Sequence, residues 1–73
     1  MTIYVLLETS VGGPYHGDLY NLFLFTSKED AIQDVKEVIE NNDGWIKDEI
    51  MKDRWFNLDA DTALTILEKW VHE

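Results

Sequence analysis

The stretch from Thr26 to Asn41, TSKEDAIQDVKEVIEN, restricts the fold most, because one side of it has to be buried and the other cannot be. Ala31, Ile32, Val35, Val38 and Ile39 recur at helical spacing and fall on one stripe. At about 100° per residue, Glu29, Asp30, Asp34, Glu37 and Glu40 turn to the opposite side, interrupted only by Lys28 and Lys36. Thr26 followed three residues later by Glu29 predicts a capping box, each side chain satisfying a backbone N–H of the first turn. Carboxylates in that turn suit the helix dipole, but the acids continue to the far end, where they oppose it. Local helix stability therefore does not account for the pattern, and the acidic face becomes the candidate functional surface.

The segments around this helix read mainly as strands. Thr2 to Thr9, TIYVLLET, is β-branched and aromatic, a strand with both faces largely covered. Ser10 to Gly17 holds three of the four glycines and the only proline, which predicts a long, mobile loop. Asp18 to Phe25 is a second strand, antiparallel to the first, with Leu19, Phe23 and Phe25 on one side and Tyr20, Leu22 and Leu24 on the other. The helix ends near Asn41 to Gly44, where Gly44 can adopt a left-handed conformation. Ile46, Ile50 and Met51 keep a partial helical period, so Trp45 to Asp53 is expected as a short second helix exposing Asp48, Glu49 and Asp53.

Residues 60–72 fit either element. Ala60, Ala63, Leu64, Leu67, Trp70 and Val71 form a helical stripe, whereas Thr65, Ile66, Trp70 and Val71 favour extended structure. A two-stranded hairpin is marginal in water, and a third strand completes a face for the helix, so strand is preferred. The expectation is an α+β fold: a small three-stranded antiparallel sheet in β-β-α-β order, one main helix packed on it, and a short second helix before the last strand. With 73 residues and no repeat or linker, one domain is expected.

With no cysteine, neither a disulfide nor a thiolate metal site can staple the chain. The nine aromatics supply packing area instead, and Trp45, Trp55 and Trp70 read as core. No signal peptide or membrane-length apolar run is evident, which suggests the cytoplasm. Fifteen acids against six bases give a net charge of −9. Eleven of the acids, against four bases, lie between Glu29 and Asp61. Direct binding to nucleic acid or to a membrane is thereby disfavoured, and a basic protein partner is favoured.

Carboxylates one helical turn apart sit roughly 5–6 Å from one another. A row of them, Glu29, Asp30, Asp34, Glu37 and Glu40 extended by Asp43, Asp48, Glu49 and Asp53, approximates one edge of a nucleic-acid backbone. The rival reading is an ordinary solvated surface. A second candidate is a calcium loop over residues 57–68, since Asn57, Asp59, Asp61 and Glu68 stand at EF-hand positions 1, 3, 5 and 12. Thr62 replaces the glycine needed at position 6, which weakens it. His16 and His72 are isolated, and Ser10 and Ser27 have no evident His partner, so no enzyme chemistry is expected and no cofactor is implied.

TIYVLLE, LFLFTSKEDAIQDV and DTALTILEKWVHE resemble small phage-encoded proteins of β-β-α-β order, in which an aromatic and Thr-Ser lead into an acidic helix. The closing strand of those proteins carries an Ile-x-Glu pattern, here Ile66 to Glu68. The resemblance implies a host-takeover protein of the DNA-mimic inhibitor family, as in the lytic-phage inhibitors of the bacterial nucleoid protein HU. It implies a basic host DNA-binding protein as partner, in the bacterial cytoplasm, and adds no catalytic residue. An anti-defence inhibitor of a nucleic-acid-binding effector, like the anti-CRISPR proteins, would use the same chemistry. The chain itself is expected as a monomer or weak homodimer.

Overall fold

The computed structural model describes residues 1–72. Its elements in chain order are β1 (Thr2–Thr9), β2 (Leu19–Phe25), α1 (Lys28–Asn41), β3 (Ile46–Lys47), β4 (Arg54–Asn57) and β5 (Thr62–Trp70). The strands form one antiparallel sheet in the order β2-β1-β5-β4-β3. The fold is thus α+β with five strands and one helix, which corrects the expectation of three strands and a second helix.

That correction lies between Trp45 and Asn57. The partial helical period there is outweighed by side-chain chemistry that bends the backbone. Asp48 Oδ1 accepts the N–H groups of Ile50 and Met51, folding the chain into an Asx-type turn. The Asp48 N–H then donates to the Arg54 carbonyl at 2.9 Å and closes a hairpin between β3 and β4. Arg-Trp-Phe-Asn follows as a β-favouring run that pairs with β5.

Residues 62–70 are a strand, paired with β1 from Ala63 to Trp70. Their helical stripe was misleading because a central strand, packed on both sides, also carries a near-continuous apolar run. In β2 the register against β1 shifts between Glu8 and Thr9, bringing Leu19 opposite Thr9. This bulge ends the simple alternation that grouped Leu19 with Phe23 and Phe25.

Residues paired across strands share a face. Tyr4, Leu6, Phe25, Leu64, Ile66 and Trp55 therefore look toward α1, where Leu6, Leu64 and Ile66 enclose Ala31 and Val35. Ile32, Val38, Ile39 and Trp45 border that core. The helix cap lies one residue later than the predicted Thr26. Ser27, with φ −125° and ψ 131°, is the N-cap, and its side chain makes no capping hydrogen bond, so the Thr26–Glu29 capping box does not form. At the other end Asn42 Nδ2 donates to the Val38 carbonyl, and Gly44 takes φ 94°, a conformation strained for residues with a Cβ.

Every residue of β1 is buried or half-buried, in line with the expectation for that strand, although no helix covers the opposite sheet face. The loop after β1 lies over one end of it, held from below by Arg54, which is 7% exposed. Arg54 Nε donates to the Gly13 carbonyl at 3.2 Å and Nη2 donates to the Val11 carbonyl. The Val11 N–H donates to Asp61 Oδ1, and the Asp18 N–H to Ser10 Oγ. The segment expected to be mobile is therefore fastened. Beyond it Ile3, Val5, Leu7, Leu22, Leu24 and Leu67 line a face that no helix covers.

Candidate functional site

The acidic side of α1 follows from its helical period. The buried stripe fixes the rotation, and Glu29, Glu40, Glu37, Asp30 and Asp34 then spread over an arc of about 140° facing away from the sheet. Asp34 sits at the margin and is half-buried; the other four are exposed. Lys28 lies against the buried stripe and turns down to Asp53 Oδ2 at 3.1 Å, so it leaves the acidic face. Lys36 remains exposed at the opposite margin. Among the described residues no ion pair or side-chain hydrogen bond engages these five acids. No basic residue occupies the last turn.

The proposed extension of the row divides in two. Asp43 follows the helix directly and is exposed. Glu49 is exposed on the β3–β4 loop. Asp53 is paired with Lys28, and Asp48 is paired with Arg54 Nη1 at 2.8 Å. The N–H groups of Ile50 and Met51, and then Arg54, hold the Asp48 carboxyl below its ordinary value of 3.8. Asp48 and Asp53 thus serve the fold and offer little free charge.

A hollow of about 510 Å³ opens where the C-terminus of α1 meets the sheet, bordered by Glu8, Asp43, Asp59, Trp45 and Asn57. Glu8 and Asp59 join Asp43 there, two acids that the helix pattern does not reveal. Glu8 had a legible signal: it follows Tyr4 and Leu6 on the inward alternation of β1, a polar residue where the apolar series stops. Glu8 Oε1 accepts from Asn21 Nδ2 on β2.

The residues of the calcium-like spacing have structural partners. Asn57 Nδ2 donates to the Asp43 carbonyl and Asn57 Oδ1 accepts the Ala60 N–H, so its side chain joins the end of α1 to the β4–β5 turn. Asp61 takes the left-handed φ of 47° and binds the Val11 N–H. Glu68 lies far along β5, opposite Tyr4. Among the described residues no group of three or more His, Cys, Asp or Glu side chains is placed to hold a metal ion.

Of the three tryptophans, Trp45 and Trp55 border the core, while Trp70, expected inside, is 68% exposed near the end of β5. The core beneath α1 ends before it, because Glu68 precedes it on the same side of the strand. Among the described residues no helix is long and apolar enough to cross a membrane. The chain matches no protein-family model, no curated protein and no solved structure. The likeness to small phage proteins therefore rests on residue patterns alone.

Proposed function

We propose that this protein is a non-enzymatic inhibitor whose acidic helix face occupies the DNA-binding surface of a basic host protein. The observation carrying the reading is the run of unpaired helix carboxylates. Glu29 and Glu40 are eleven residues apart, so five acids share about 16 Å of helix axis. That is one negative charge per roughly 4 Å, against one phosphate per 3.4 Å along a DNA strand. A surface built from Lys and Arg to grip phosphates meets a similar charge density here, with Asp43 continuing the row. The net charge of −9 steers encounter over about a Debye length, some 8–10 Å in physiological salt. A nucleoid protein such as HU is the kind of target this chemistry fits, and a nucleic-acid-binding defence effector would be engaged in the same way.

The test is binding to a panel of purified bacterial DNA-binding proteins, including HU, at two ionic strengths, with labelled duplex as competitor. The expected result is capture that weakens with salt, displacement of the duplex, and loss of both in Glu37→Lys/Glu40→Lys. Salt-insensitive capture, or capture that survives the double reversal, would overturn the reading.

A further inference from the structure

The two edges of the sheet are not alike. β3 is two residues long, and Lys47 Nζ closes over the carbonyls of Asp48, Met51 and Lys52 beside it, so this edge offers little for another strand to join. β2, at the other edge, is seven residues long, LYNLFLF, with no charge and no proline. Its Leu19, Tyr20, Leu22, Phe23 and Leu24 are 43% to 64% exposed. Of the features that normally protect an edge, β2 has only the bulge at its start. From Asn21 to Phe25 its pairing with β1 is regular, leaving a straight row of outward N–H and C=O groups.

We infer that β2 pairs antiparallel with β2 of a second copy, joining two five-stranded sheets into one of ten strands. A strand of the same apolar, uncharged make-up is the occupant this edge fits, and charge confines the contact to it. Two copies at −9 repel through every acid-bearing surface, and β2 is a strand on which neither copy presents a charge. Antiparallel self-pairing around a twofold axis sets apolar residues against apolar residues on both faces. Taking half of roughly 150–250 Å² as the exposed part of each of the five side chains gives about 375–625 Å² per copy, of which edge pairing covers the flanks. The total over both copies is therefore below about 1,250 Å², the size of a weak, transient contact and far from an obligate dimer, so association is reversible. A twofold axis normal to the sheet leaves both α1 helices on one side. The inference does not depend on the acidic-face reading.

Sedimentation velocity of the full chain from about 10 to about 500 µM tests it, in low and high salt. The expected result is a mass rising from 8.5 kDa toward twice that value, and rising further in high salt as repulsion is screened. This is the opposite salt dependence to that of basic-partner binding, so each reading can fail alone. Leu24→Lys, at a position 64% exposed, should keep the circular dichroism of the parent and remain monomeric, while Ile50→Lys, at a position 96% exposed on the β3–β4 loop, should still dimerise. Should Leu24→Lys not fold, NMR shifts of the parent on dilution decide the matter, and they should concentrate in residues 19–25. A monomer at every concentration, or dilution shifts centred on Ile3, Val5 and Leu67 of the open sheet face, would overturn the inference.

Discussion

Replacing Arg54 by alanine should cost this protein a large part of its stability. The guanidinium lies almost wholly inside and links two loops that follow different strands, through the carbonyls of Val11 and Gly13 and the carboxylate of Asp48. Alanine leaves both carbonyls facing an empty space with no donor. Hydrogen bonds involving a charged group contribute about 1.5–3 kcal/mol each. Taking the lower end for both carbonyls gives a loss of about 3 kcal/mol, with the ion pair to Asp48 left out because that carboxylate still meets water. A chain of 73 residues is expected to hold only about 4–11 kcal/mol in all. The melting temperature should therefore fall by about 12–24 °C. Urea and thermal unfolding at neutral pH, followed by far-ultraviolet circular dichroism, measure this directly. Arg54→Lys should fall between the two, since it keeps the charge but not the planar fork. A loss below about 1 kcal/mol for Arg54→Ala would refute the idea that the guanidinium fastens the loop.

Other substitutions probe the same framework. The Asp48 carboxyl titrates lower in the folded chain than its ordinary 3.8, so it stabilises the fold above that value and ceases to do so as pH falls through the folded value. The stability gap between the parent and Asp48→Asn should be constant from pH 7 to about 5, then close on further acidification. Thr65 is 1% exposed and its Oγ1 has no hydrogen-bond partner, so Thr65→Val should raise stability by about 1 kcal/mol in urea melts. Leu64→Ala, at the centre of the core, should cost about 2–5 kcal/mol by the same measurement. Gly44→Ala should destabilise by about 1 kcal/mol, because alanine is strained at φ 94°.

The parts of the fold governed by long, regular patterns were legible in the sequence. The limits of β1, the pairing of β1 with β2, and the position and buried stripe of α1 all follow from period and residue type. Residues 45–57 were not legible, because what decides them is not periodic. Asp48 binds two N–H groups ahead of it and Arg54 reaches back to it, and a helical count of Ile46, Ile50 and Met51 cannot register either contact. The same blindness affects the site. Helical spacing places Glu29 to Glu40 on one face, but only the tertiary fold shows that Lys28 and Arg54 remove Asp53 and Asp48 from the free charge. Glu8 and Asp59 reach Asp43 through sheet pairing, across separations that no local pattern covers.

The order of strands also governs when this molecule can fold. The pair at the middle of the sheet joins residues 2–9 to residues 63–70, so its central seam is stitched from segments far apart along the polypeptide. While the chain emerges from a ribosome, β1 has only β2 to hold it, and a two-stranded hairpin does not persist alone in water. The inner side of β1, with Tyr4 and Leu6, is then bare until β5 and the helix close it. β5 must be made before the helix has a floor to settle on, and folding should be slow for a domain of this size, as expected where remote segments must find each other first.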